Sequence, residues 1–160
     1  MAVGRATALS LCSSRAWLLF AALLSGCAST PAPVASPKVD PTTEAWYAHA
    51  AAELAGMARE AETLFAHGRR DEAAAVITKS ETVANRLLAV PRPALAAVEA
   101  ASDLDDLYGR MLMGNGRYGW ARLQFQKNVT RWKHWQPRTA EAERRLKAAE
   151  DGVAECDRKL

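Results

Sequence analysis

The densest run of chemistry-bearing side chains lies between residues 107 and 138. It holds Arg110, Arg117, Arg122, Lys127, Arg131, Lys133 and Arg138 with no carboxylate among them, interleaved with Tyr108, Tyr118, Trp120, Phe125, Trp132 and Trp135. Such a run can meet an anionic partner: lipid headgroups, lipopolysaccharide, a cell-wall polymer or an acidic protein. It can equally be a core helix whose cations pair with acidic helices around it. Arginine and tryptophan together also mark interface hot spots. The candidate partner surface is therefore Arg117, Arg122, Lys127, Arg131 and Lys133 with Trp120 and Trp135.

Other reactive groups are sparse. Gly114-Asn115-Gly116-Arg117-Tyr118-Gly119 matches the dinucleotide pattern G-x-G-x-x-G, but that pattern needs a preceding strand to aim backbone amides at a pyrophosphate. A helical stripe precedes it here, so an inter-helix turn is expected. Asp103, Asp105 and Asp106 cluster in the middle of a predicted helix and read as a solvated face with salt-bridge partners. His49, His67 and His134 are scattered, and no metal-ligand spacing, Gly-x-Ser-x-Gly or P-loop is present. The expectation is no catalytic residue, no metal and no cofactor, hence not an enzyme. Asn128-Val129-Thr130 matches a glycosylation sequon, but its helical setting argues against an accessible loop.

The chain has 160 residues, room for one ordinary domain. Thirty-four are alanine and one is isoleucine, which favours helix over sheet. The formal charge of +3 is too mild to indicate nucleic acid.

Residues 1–26 contain no acid, and Arg5 and Arg15 precede an apolar run of eight, Trp17 to Leu24. A bilayer-spanning helix needs about 20 apolar residues, so this run reads as the core of an export signal. It leads directly into Leu24-Ser25-Gly26-Cys27. That tetrad resembles the lipobox of bacterial lipoproteins. The resemblance implies diacylglycerol attachment at Cys27, recognition of Leu24, Ser25 and Gly26 by signal peptidase II, cleavage before Cys27 and acylation of the new amino group. Several acyl chains hold a protein on a bilayer at about 0.8 kcal/mol per buried CH₂. Ala28 stands where an Asp commonly retains such lipoproteins in the inner membrane, so the implied location is the cell envelope, on the outer membrane facing the periplasm. Removal of Arg5 and Arg15 leaves 19 basic against 18 acidic residues, and the run 107–138 carries seven of those cations.

Three prolines and little to bury mark 27–40 as a lipidated cysteine and disordered, Pro-rich tether. Thirteen such residues reach roughly 40 Å. The domain is then 41–160, with five expected helices. Asp40 caps the first, with Pro41 in its first turn and a stripe of Tyr47, Ala50, Leu54, Met57, Ala61 and Leu64 ending at Gly68. The second runs from about Arg70 to Leu88 with Ala73, Ile77, Ser80, Ala84 and Leu87 on one face, stopped by Pro91-Arg92-Pro93. The third uses Leu95, Val98, Leu104, Tyr108, Met111 and Leu112. The fourth carries Tyr118, Ala121, Phe125, Val129 and Trp132 on one side and Trp120 and Leu123 on another, as a helix between two neighbours would. The fifth starts at the N-cap Thr139 and spaces Ala142, Leu146, Ala149, Val153 and Cys156 at four and three, with Glu141–Arg145 and Glu143–Lys147 pairs. Cys156 is expected as a small buried hydrophobe. The fold class is all-α: about five antiparallel helices stacked as hairpins, a short solenoid or bundle.

A weak repeat underlies this. Gly68-Arg69-Arg70-Asp71-Glu72-Ala73 and Gly116-Arg117-Tyr118-Gly119-Trp120-Ala121 each join two helices as Gly-x-x-x-x-Ala, 48 residues apart. With Gly109, Leu112 and Phe125, the second copy resembles a tetratricopeptide repeat, in which a small residue on one helix lets the next pack closely. Lys133 stands where that family places proline, Arg70 and Ile77 replace the aromatics in the first copy, and 48 exceeds the usual 34. The lipobox, the tether and these repeat-like turns together point to a protein-binding or scaffolding module held on a membrane. The basic-aromatic run points to an envelope protein or anionic envelope polymer as partner, and the export signal argues against nucleic acid. The alternatives are an envelope or cell-wall accessory enzyme using the basic-aromatic helix 117–135, and a mainly structural lipoprotein that oligomerises.

Overall fold

The computed structural model describes residues 39–160, so the expectations for the signal 1–26, for Leu24, Ser25, Gly26 and Cys27, and for most of the tether lie outside the described residues. The domain is all-α: a short 3-10 turn, Pro41–Thr43, then α1 (Ala45–Ala66), α2 (Arg70–Leu88), α3 (Leu95–Gly114), α4 (Tyr118–His134) and α5 (Ala140–Asp157). Among the described residues there is no strand. No helix among them is long and apolar enough to cross a membrane.

The first helix begins later than its capping signal predicts. The Asp40 carboxylate accepts the Thr42 N–H at 2.9 Å, and its carbonyl accepts the Thr43 N–H at 3.0 Å. These bonds close a tight turn around Pro41 and leave Glu44 extended at φ −82°, ψ 143°, so α1 restarts at Ala45. The other predicted boundaries hold. Thr139 caps α5 by accepting the Ala142 N–H at 3.1 Å, satisfying one of the orphan donors of the first turn.

The two Gly-x-x-x-x-Ala junctions share one geometry. Gly68 and Gly116 have φ of +75° and +70°, a region open to glycine at little cost. In each, the glycine N–H returns to the carbonyl three residues back (Phe65 and Met113, both 2.9 Å). The next N–H, of Arg69 or Arg117, returns five residues, to Leu64 at 2.9 Å and Leu112 at 2.8 Å. This is a Schellman closure used twice, and it turns the chain back to make the hairpins α1–α2 and α3–α4. The G-x-G-x-x-G match is thus spread over the end of α3, this turn and the start of α4.

Helix α3 is the hub. It packs on α1, α2 and α4 and touches α5, so its burial does not follow one stripe. Ala97, Ala100, Ala101, Leu104, Leu107 and Met111 face the α1–α2 core, whereas Val98 turns toward Trp132 and Ala142. Leu95, expected on the stripe, is 44% exposed, although Ala97 and Val98 of the same turn are buried. Alanines at the crossings let helix backbones approach closely, and they carry much of the core. The α2–α3 connection is held from α1: the buried Tyr47 hydroxyl donates to the Leu87 carbonyl at 3.2 Å and accepts the Ala94 N–H at 3.0 Å.

The second half of the domain turns on Phe125. Its ring lies between Gly109 of α3 and Gly152 of α5; a Cβ at either position would stand 2.7 or 2.8 Å from a ring carbon. Cys156 is fully buried beside Phe125 and Ala121, and burial pushes its thiol pKa up. Along α5 the structure corrects one expected pair. Arg145 meets Glu141 at 2.6 Å as predicted, but Lys147 reaches forward to Asp151 at 3.0 Å instead of back to Glu143.

Helix-interior Gly→Ala changes should therefore split in sign. Gly56→Ala, where a Cβ meets nothing within 4 Å, should gain about 0.5–1 kcal/mol. Gly109→Ala and Gly152→Ala should lose about 1–3 kcal/mol by overpacking Phe125. Urea denaturation of the three variants reads both signs, and a gain at all three positions would show that the ring is not clamped.

Candidate functional site

Helix α4 carries the candidate residues, and its placement follows from its sequence. Ala121, Phe125, Asn128 and Trp132 recur at spacings of four, three and four and are buried between α3 and α5. The helix does sit between two neighbours, but Trp120 and Leu123 do not contribute: they are 63% and 48% exposed. The second contact is made on the flanks of one continuous stripe, with Asn128 completing what the apolar residues begin.

Asn128 and Ser102 are the polar centre of the α3–α4 contact. The Trp132 Nε1–H donates to the Ser102 hydroxyl at 2.7 Å, and the Asn128 amide donates to the Ser102 carbonyl at 2.9 Å. Arg131 donates to the Asn128 side-chain oxygen and, at 2.9 Å, to Asp105. Among the described residues no buried side-chain polar atom lacks a partner, which is the condition for a buried polar cluster to stabilise a contact. Sequence reading places Ser102 on no stripe and treats Asn128 only as part of a sequon. The signal available was that Asn128 sits at the heptad-like position between Phe125 and Trp132.

The seven candidate residues divide three ways. Arg122 points to α5 and pairs with Asp157 at 2.5 Å. Arg131 is largely buried and bound to Asp105, while Lys127 stands 3.5 Å from the same carboxylate. Arg117 and Lys133 have no carboxylate partner among the described residues. Trp135 is half-buried, its ring edge-on to Trp132 with centroids 6.2 Å apart; Trp120 stands free in solvent. The structure thus brings Arg117, Trp120, Lys127, Arg131 and Trp135 onto one side of α4, around a groove floored by α3, and leaves Arg122 and Lys133 elsewhere.

The acidic cluster of α3 supplies the counter-charges. Asp103 holds Arg145 of α5 at 2.6 Å, Asp105 holds Arg131 of α4, and Asp106 holds Arg110 at 2.9 Å. Arg110 also crosses to Glu62 of α1 at 2.6 Å. For Arg110 and Arg145, burial disfavours the charged form, and the carboxylate bonds outweigh it, so both guanidinium pKa values stand above the ordinary value. A second cleft, about 410 Å³, lies over these residues between α1 and α3 and is lined by Arg59, Glu62, Glu99 and Asp103 with small alanines. Its charges largely neutralise one another.

His67 and His134 occupy equivalent helix ends. Each ring Nδ1 meets the carbonyl four residues back, Thr63 at 2.7 Å and Thr130 at 2.8 Å, which requires the proton on that nitrogen. A cation is favoured there by the helix dipole. Among the described residues no three His, Cys, Asp or Glu side chains gather as a metal site.

The placements separate the cations by role. Arg131→Met leaves Asp105 and the Asn128 oxygen short of a donor and should cost about 1–3 kcal/mol, whereas Lys133→Ala should change stability by less than about 0.5 kcal/mol. Thermal denaturation of the two variants checks this; equal effects would contradict the network. Against family models, curated proteins and solved structures, the chain finds no match.

Proposed function

We propose that the chain is a lipid-anchored lipoprotein of the cell envelope whose helical domain binds or scaffolds other proteins. The observation that carries the anchor is the tetrad Leu24-Ser25-Gly26-Cys27 set directly behind an eight-residue apolar run. Small residues at Ser25 and Gly26 suit an extended backbone in a protease cleft, and the Cys27 thiol is the nucleophile for diacylglycerol. Ala28 is consistent with an outer-membrane address, the domain facing the periplasm.

The binding role draws on the domain. Paired helical hairpins with repeated glycine junctions resemble the tetratricopeptide class, and such stacks present long grooves rather than enclosed pockets. The exposed Trp120 beside the unpaired Arg117 is the kind of side-chain pair that anchors a protein interface.

Cys27→Ser should leave a full-length precursor that takes up no labelled palmitate and is released from washed membranes. Normal processing with membrane retention of that variant would refute the anchor. The readout is a gel shift with fluorography, so it is independent of any binding partner.

A further inference from the structure

Helices α2 and α4 both lean on α3 and leave a groove between them. Three adjoining cavities of about 420, 300 and 720 Å³ run along it. Tyr108 and Gln124 line both the first and the second, and Leu88 and Arg131 line both the second and the third, so the three form one continuous trough. Arg117, Thr130 and His134 also line it, and along the α4 bank run Trp120, Gln124, Lys127, Arg131 and, at the C-cap, Trp135. Their spacing of four, three, four and four puts them on one helix face. At 1.5 Å per residue the two tryptophans stand about 22 Å apart along the axis, the length of about seven residues of extended chain.

We propose that this groove docks an extended acidic segment of another protein, its carboxylates along the cations and apolar side chains against the tryptophans at each end. The inference rests on reading the domain as a protein-binding module. Charge favours this occupant. Residues 39–160 carry 18 cations and 18 carboxylates and are neutral overall, but the groove is lined by Arg92, Arg117, Lys127 and Arg131 against Glu81 and Asp105. Asp105 is already taken up by Arg131 at 2.9 Å. Arg117 has no carboxylate partner among the described residues and stands at the positive end of the α4 dipole. Lys127, 56% exposed, holds only the long 3.5 Å contact to Asp105 and a hydrogen bond to Gln124.

Shape separates this occupant from an anionic bilayer. A membrane surface meets convex side chains, and the projecting Lys133 and Leu123 lie outside the trough. The trough's floor of Ala101, Leu104 and Tyr108 lies below its banks, with Arg131 largely buried beside it, where a strand-like segment reaches and a sheet of headgroups does not. In the cleft over α1 and α3, by contrast, two of the three arginines are taken up, Arg110 by Glu62 and Asp106 and Arg145 by Asp103.

The test uses the full chain in non-ionic detergent and a fluorescein-labelled pool of nine-residue peptides. Glutamate occupies alternate positions, with Leu, Val, Phe or Trp between; a matched pool has glutamine for glutamate. Fluorescence anisotropy at low salt should show the glutamate pool binding about tenfold or more tightly than the glutamine pool, with the preference shrinking as salt rises. Arg117→Glu with Lys127→Glu should erase the preference, and Trp120→Ala should weaken binding about tenfold. Lys79→Glu, the same charge reversal at a single exposed α2 position outside the lining, should leave binding intact, and circular dichroism confirms that each variant folds. No binding of the glutamate pool, equal binding of both pools, or an equal loss in Lys79→Glu would overturn the proposal. So would retention on phosphatidylglycerol vesicles that the double variant abolishes without any peptide preference. If the double variant still matures at Cys27 and still cross-links to its envelope partners, the binding-module reading survives and only the groove assignment falls.

Discussion

The second half of this domain depends on one steric fact: the Phe125 ring occupies the space that side chains at Gly109 and Gly152 would need. A large flat side chain facing two glycines brings α3, α4 and α5 to a common contact, and Ala121 and Cys156 close around it. That approach then sets the register at which Ser102 meets Asn128 and Trp132, one and two turns further along α4. The polar cluster is satisfied only because the glycines allow the helices near enough. Charge follows in turn, since Arg131 can reach both Asn128 and Asp105 only at that spacing.

Much of the fold was legible in the residues. The proline and glycine punctuation at Gly68, Pro91, Pro93, Gly116 and Pro137 divides the chain into the five helices that form, and the stripes of α1 and α2 are buried as their spacing says. What the sequence hid has physical reasons. A helix surrounded by neighbours, such as α3, buries alanines on several sides, so a search for one apolar stripe passes over Ala97, Ala100 and Ala101. Nothing in the spacing of α5 marks Gly152, because its role is set by a ring 27 residues earlier. Ser102 and Asn128 look like surface residues until the partner helix is in place.

The basic-aromatic run of 107–138 shows the same limit more sharply. Sequence alone supported either a charged binding face or a core helix with paired charges, and the fold pairs only part of the run. Arg110, Arg122 and Arg131 are committed to carboxylates on α1, α5 and α3, while Arg117, Trp120 and Lys127 are left along the groove. Period alone could have separated them. Residues 121, 125, 128 and 132 are the buried face, and 120, 124, 127 and 131 lie one position around the helix, at its edge.

The Tyr47 hydroxyl carries a consequence for how the domain comes apart. Its two bonds reach the last turn of α2 and the residue that opens α3, 40 and 47 positions away. Neither bond can persist if α1 frays from the stack, and a free α1–α2 hairpin would lack the Ala94 donor altogether. The first three helices therefore open as one cooperative unit rather than hairpin by hairpin. Because α3 belongs equally to the Phe125 cluster, that opening spreads to α4 and α5, so amide hydrogens across all five helices would exchange through the same event.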